Sequence, residues 1–576
     1  MQEDEEYNRE DFVTPFARVL GSYQGVDGKS NGSDRHFSGI QNFVNDLYTG
    51  YKYQCVEYAR RWLLSKGLEF YSVPLAAHIW HIRFLERYSD GKATPINPVS
   101  NGSTSPPVPD SILIWKIAED VPCGHIAVVT EVNLSENYIR IAEQNMKNDY
   151  WPGNYARQIP LENVDGHYWI RDEDELYGWM IIDFDVDHVD QQALDKINHP
   201  VKKHTKEVTH DNPWLDLNDP IEAYYYEKTG KFMNSGTFNY FTIEEHLAYK
   251  VLYATMECSF MLNRATNKVV NSPELMEKFG LPQWTWDMIK DSWNFYWNSK
   301  GKTITGRLEF AFKGRNVKLV DFYGDTLYGL AEAVKIQDKL AGHLDCTMGD
   351  SPSVKLKEGL ITHVKSCFKD FVHICTDSKQ EHLSIAHFIQ NIIRECGLDS
   401  KILVDLDFSK DTEGNFYDQQ GVQIKSIWKI WDWETVLADY ENPRQENEVK
   451  ISDLLLSKNV FVLEPLWKLV TSNRALKAVM NEINPNHGYL LDAKWDLPLD
   501  TQGKNYLPLQ CGYKKLSSSQ EHTIYVEEFL SEEFEGIKPI ICSWPVARYL
   551  TGFSLDTKSF DDQNDRQLVC CRIIGD

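Results

Sequence analysis

A chain of 576 residues cannot be organised around one hydrophobic core, because single cores stop growing near about 250 to 300 residues and longer chains split into domains. Composition shows where the division falls. From Thr14 to about Asp183, short alternating segments, one clear helix and Gly/Pro/Asn/Ser turns such as residues 101–109 follow one another, which predicts an α+β domain at 11–184. Between Asp185 and Asp219 the sequence is charged and rich in His, carries Pro200 and Pro213, and loses its periodicity. The linker is therefore placed at 185–211. From 212 to 576 helix-period and strand-period segments alternate, with 244–263 reading as a long helix and 318–322 as a strand, the pattern of an α/β domain. The polar, acidic run 517–535 reads as an exposed excursion.

Apolar residues make up 42%, charged residues 25% and aromatic residues 12%, values of a chain that folds. A net charge of -25 disfavours nucleic acid and anionic membranes as partners and suits a cationic one. Residues 1–10 are acidic with no apolar stretch, unlike a secretory signal or a transit peptide. No run reaches the about 18 apolar residues of a membrane span. The eleven cysteines are odd in number, scattered, and never spaced as CxxC, so neither a disulfide framework nor a zinc site is indicated. A reducing, cytoplasmic location is expected.

One of those cysteines starts a helix. In the run Gln54-Cys55-Val56-Glu57-Tyr58-Ala59-Arg60-Arg61-Trp62-Leu63, Val56, Ala59, Trp62 and Leu63 predict a buried stripe. A thiol at a helix N-terminus meets the positive end of the macrodipole and unpaired amides, which favour the thiolate. Downstream, 125–130 alternates like a strand beginning at His125, 138–145 reads as its partner, and 133–137 supplies the turn. A hairpin centred near residue 134 sets 125 opposite 143, with Asn145 one slip away. A nucleophile needs a base, and the base needs a group that fixes its tautomer. Cys55, His125 and Glu143 or Asn145 fill these roles; His78, His81 and His167 are less well placed.

The segments Thr14-Pro15-Phe16, Gln54-Cys55-Val56-Glu57, Gly124-His125-Ile126-Ala127, Ile141-Ala142-Glu143-Gln144-Asn145 and Gly178-Trp179-Met180 resemble the CHAP-type, papain-like amidase domain of the glutathionylspermidine synthetase/amidase family, to which trypanothione synthetase is also similar. The resemblance implies hydrolysis of the amide between the glycine of glutathione and spermidine, without a cofactor. It gives Cys55 as nucleophile, His125 as base then acid, and Glu143 as orienting group. It also implies Gln54, Arg60 and Asn145 as substrate-binding residues, Arg60 through a substrate carboxylate.

The resemblance runs on through Trp214-Leu215-Asp216, Tyr240-Phe241-Thr242-Ile243, Thr305-Gly306-Arg307 and Leu463-Glu464-Pro465-Leu466-Trp467 into an ATP-grasp-like synthetase domain. In the family that domain uses ATP and magnesium to join glutathione to spermidine. Arg307, Glu309, Asp321, Thr326 and Arg474 occupy its synthetase positions, yet the pattern departs from the family's. The two acids are exchanged in length, Tyr323 replaces an amide ligand, Leu507 replaces a lysine that meets ATP, and 547–551 lacks the family's glycines. Loss of ligation is the expectation, with a bifunctional enzyme, an isopeptidase for glycine-linked protein conjugates and a non-catalytic binding protein as alternatives. The implied partner is a glutathione–polyamine or glycine-linked protein conjugate. A homodimer is left open.

Overall fold

The computed structural model describes residues 12–45, 47–184, 190–210, 212–229, 234–298, 306–325, 327–346, 348–446, 448–516, 519, 521–546, 552–557 and 567–575. The chain divides into two compact units, residues 1–200 and 201–576.

The first unit opens with the pair β1 (Val19–Tyr23) and β2 (Val26–Lys29) and the hairpin β3 (Gln41–Val44) and β4 (Leu47–Tyr51), followed by helix α1 (Cys55–Ser65). A nine-stranded sheet follows, built from β5 (Leu68–Glu69), β6 (Phe84–Arg87), β7 (Ala93–Ser100), β8 (Ile112–Trp115), β9 (His125–Asn133), β10 (Tyr138–Ala142), β11 (Arg157–Val164), β12 (His167–Ile170) and β13 (Leu176–Ile182). Its strand order is β12-β11-β10-β9-β8-β13-β7-β6-β5. The continuous apolar run of β9 is explained by cover on both faces. Ile126 and Val128 pack with Ile112, Ile114 and the α1 residues Tyr58, Ala59, Trp62 and Leu63. Ala127 and Val129 face Leu113, Trp115, Ile139 and Ile141 on the other side. Those four α1 side chains are fully buried, each large one worth about 1.5–3 kcal/mol of transfer free energy. That is enough to hold the helix start, and with it Cys55, in one place. Val56, expected in the stripe, is only partly buried, while Glu57 is fully covered because Asn42, Arg61 and Gln144 all bond to its carboxylate.

The expected linker is mostly structured. Residues 185–189 and 211 lie outside the described ones, but Gln191–Asn198 is a helix and Val201–Val208 is the edge strand of the second unit's main sheet. In that strand only the terminal valines are buried; the charged residues between them are what an edge strand carries, and they hid it.

The second unit contains a seven-stranded sheet in the order Val201–Val208, Gly236–Glu244, Gln567–Ile574, Phe553–Thr557, Pro539–Ser543, Arg307–Lys313, Asn316–Tyr323. A separate four-stranded sheet, ordered Ser400–Val404, Val372–Thr376, Ser426–Lys429, Phe461–Leu463, is parallel throughout, as expected of strands joined by helical crossovers. The long helix is Glu245–Val270 and the expected strand at 318–322 is Asn316–Tyr323. The acidic run at 517–535 is not simply an excursion: His522–Glu527 pairs with Tyr506–Cys511 and Ala493–Lys494, and Ser517, Ser518 and Gln520 lie outside the described residues. Among the described residues no helix is long and apolar enough to cross a membrane.

Candidate active site

Cys55 is the first residue of α1 and is 9% exposed. By position its N–H has no intrahelical acceptor and points out of the helix start, the arrangement that stabilises an anion at sulfur or at a neighbouring oxygen. His125 is the first residue of β9, and the Cys55 side chain is near enough to act on the charge of its ring. Gly124 sets that start: its φ is +67°, and a Cβ there would lie 2.6 Å from the Ala77 Cβ and 2.7 Å from the Trp115 carbonyl oxygen, so only glycine fits.

The hairpin register differs from the expected one. Arg140 pairs with Glu131, but after a bulge Ile141 pairs with Val129 and Ala142 with Val128, so extension of the ladder would have set 145 against 125. The strand ends at Ala142 instead, and Glu143, beyond it, turns its carboxylate to the ring, with Oε2 2.9 Å from His125 Nε2. Since Nε2 is taken by the carboxylate, Nδ1 is left for the thiol. Of the two candidates at this position, Glu143 is the one that meets the ring. His167 is exposed and bonds to the Asp165 carbonyl.

His125 and Glu143 are 2% and 4% exposed, so their charges act in a medium of low polarisability. Burial opposes the imidazolium, yet Cys55 and Glu143 outweigh it and raise the ring to about 9. Burial equally opposes the carboxylate, and Arg157, then His125, hold Glu143 down at about 2.

Asn145 has another task. It accepts from Asn31 Nδ2 at 2.8 Å and donates to Gln54 Oε1 at 2.9 Å, and Gln54 Nε2 donates to the His36 carbonyl at 3.1 Å. Asn145 and the His36 carbonyl thus brace Gln54, the residue before Cys55. Arg60 is 8% exposed, its guanidinium 4.4 Å over the Phe70 ring and 3.4 Å from the Tyr71 carbonyl oxygen.

In the second unit the residues expected at synthetase positions are engaged by one another and by neighbouring cations. Arg307 Nη2 donates to Glu309 Oε1 at 2.6 Å, with both side chains buried. Asp321 is held by Arg474 at 3.0 Å and Lys477 at 3.1 Å, and Tyr323 donates to it at 3.2 Å. Burial works against the Asp321 charge, but Lys477 and Arg474 hold its carboxyl below the ordinary aspartate range. Leu507 is exposed on the strand Tyr506–Cys511. Thr326 and 547–551 lie outside the described residues.

The CHAP domain family matches residues 46–145, a span that contains Cys55, His125 and Glu143, and the glutathionylspermidine synthase preATP-grasp family matches 221–509. The bifunctional glutathionylspermidine synthetase/amidase of Escherichia coli strain K12 is 30% identical over 518 residues, 83% of this chain and 82% of that protein. The chain belongs to the glutathionylspermidine synthetase/amidase family. Other members that it resembles are the trypanothione synthetase of Crithidia fasciculata, 28% identical over 85% of this chain and 81% of that one, and the glutathionylspermidine synthase of the same organism, 26% identical over 85% and 77%.

Synthetases of the glutathionylspermidine family use ATP and magnesium. Of the carboxylates expected there, Glu309 faces Arg307 and Asp321 faces Arg474 and Lys477, so each already has a protein cation as its partner. Among the described residues no group of three or more His, Cys, Asp or Glu is placed to hold an ion.

Two features of this family member were not foreseen. Glu57 and Gln144, both buried, form a network with the partly buried Arg61, and Arg157 bonds to Glu143. Neither pairing has a local signal, because the partners are 83 and 14 residues apart for Arg61–Gln144 and Arg157–Glu143.

The two shifted groups predict a pH profile of stability. Glu143, lowered from 4.5 to about 2 on folding, stabilises the fold above pH 4.5, and that contribution is lost as pH falls through about 2. His125, raised from 6.5 to about 9, contributes fully below pH 6.5 and loses its contribution as pH rises through about 9. Melting temperatures from near-neutral to alkaline pH should therefore fall, and the alkaline fall should be smaller in His125→Ala.

Proposed function

We propose that this chain is a thiol amidase that hydrolyses a glycyl-amine amide such as glutathionylspermidine, and that its synthetase-like domain has lost ATP-dependent ligation. The observation that carries the reading is one imidazole held between a helix-start thiol and a buried carboxylate. In the acylation step the Cys55 thiolate attacks the glycyl carbonyl carbon, forming a C–S bond and a tetrahedral oxyanion, which the helix-start amide of Cys55 stabilises. The imidazolium of His125 gives its proton to the amine nitrogen, the C–N bond breaks, and the free amine leaves. Water then attacks the thioester while the neutral imidazole takes one of its protons, the thiolate departs, and the carboxylic acid formed releases its remaining proton to solvent and leaves as a carboxylate. Glu143 keeps the proton-bearing nitrogen aligned throughout, and its charge balances the imidazolium.

Incubation of the purified protein with glutathionylspermidine tests this: release of glutathione and spermidine in equal amounts is expected, and protection of Cys55 from an alkylating reagent by the same conjugate. Absence of both would refute the reading.

Support for the lost ligation comes from Glu309 and Asp321, each already neutralised by buried or half-buried protein cations. Drawing either toward a dication would leave a guanidinium without its counter-charge, which is costly in an interior. Isothermal calorimetry with ATP and magnesium should accordingly give no binding heat; micromolar binding would overturn this half of the proposal.

A further inference from the structure

The sheet brings five strand ends together around the site. His125 starts β9 and Trp115 ends β8, where the two are paired residues. Glu143 follows β10, Arg157 starts β11, and Asp172 follows β12. These strands are successive neighbours in the sheet, so residues far apart in sequence meet at one edge of the site. Arg157 Nη2 donates to Glu143 Oε2 at 3.2 Å and Nε donates to Oε1 of the same carboxylate. Nη1 donates to both Asp172 oxygens, at 3.0 and 3.1 Å. Trp115 Nε1 donates to Asp172 Oδ2 at 3.0 Å, and the Trp115 ring meets the His125 ring edge-on at 5.1 Å between centroids. The circuit from His125 through Glu143, Arg157, Asp172 and Trp115 closes on His125.

We propose that Arg157 is a positioning residue of the amidase site: its guanidinium, itself fixed by Asp172, grips the Glu143 carboxylate and aims it at the imidazole. This rests on the amidase reading above. The guanidinium is suited to the task because it is planar and always charged and can grip two carboxylates at once. The charged groups facing Glu143 are His125 and Arg157, and those facing Arg157 are Glu143 and Asp172. His125 faces Cys55 and Glu143.

Without Arg157, burial favours the neutral acid of Glu143. A protonated Glu143 presents a donor to Nε2, the imidazole then carries its proton on Nδ1 toward the sulfur, and neither a thiol proton can be accepted nor an imidazolium balanced.

The test compares wild type, Arg157→Met, Arg157→Lys and Asp172→Asn in hydrolysis of glutathionylspermidine across pH, with melting temperatures in parallel. Arg157→Met should lower kcat by about 10- to 100-fold with KM little changed, and its acid limb of activity should move to higher pH. Arg157→Lys should recover part of kcat and part of the acid-limb shift, and Asp172→Asn should lose less than Arg157→Met. If Arg157→Met is too unstable to assay, the lysine and asparagine variants carry the comparison. Melting temperatures that fall while kcat and the pH profile stay those of wild type overturn the proposal and leave Arg157 a purely structural residue. Wild-type protein that fails to hydrolyse the conjugate refutes the amidase reading instead.

Discussion

Cys55→Ala is expected to lower turnover of glutathionylspermidine by about 10⁴-fold or more, the scale on which removal of a covalent nucleophile acts, while leaving the protein folded. The two effects separate because in the proposed mechanism sulfur is the atom that bonds to the substrate, whereas its packing contribution is small. Cys55 sits at the first position of α1 on its buried face, and the helix is secured along that face by the larger side chains Tyr58, Trp62 and Leu63 together with Ala59. Alanine is a good helix former, so the substitution costs stability only through the lost sulfur contacts. A melting temperature near that of wild type together with lost amine release is the expected pair of results. Residual hydrolysis at the wild-type rate would remove Cys55 from the mechanism.

Glu143→Gln should be the second most damaging change, lowering kcat by about 10²- to 10⁴-fold. Glutamine preserves shape, but its carbonyl accepts from Nε2 without a charge, so the imidazolium loses the partner that helps raise it to about 9. The alkaline limb of activity should therefore move to lower pH. Stability should fall as well, because Arg157 keeps only Asp172, and removing one partner of a buried charged pair costs about 3–5 kcal/mol. Asn145→Ala should be milder in kcat, since Asn145 touches Gln54 and Asn31 rather than the ring. Equal losses in the two variants would contradict the assignment of Glu143 as the orienting group.

How much of this was legible in the sequence depends on the range of each signal. The helix beginning at Cys55, the strand beginning at His125 and the turn at 133–137 are set by local periodicity and turn chemistry, and the structure has all three. Opposition of 125 and 143 was a register argument, and the actual ladder has another register because of the bulge after Arg140. His125 and Glu143 meet because the chain leaves the ladder at Ala142, which no alternation pattern encodes. Arg60, expected to meet a substrate carboxylate, lies buried on Phe70, a contact set by the chain just after β5. The departures from the family pattern were visible residue by residue; that Arg307, Arg474 and Lys477 pair with Glu309 and Asp321 was visible only in three dimensions.

The central claim concerns a covalent event, so the most direct measurement is mass spectrometry of the Cys55 peptide after rapid acid quench of the reaction with glutathionylspermidine. The account predicts a glutathionyl acyl group in thioester linkage on Cys55, appearing with release of one spermidine and disappearing as glutathione forms. Conjugate hydrolysis proceeding with Cys55 unmodified at every time point, and undiminished after that thiol is alkylated, would contradict it.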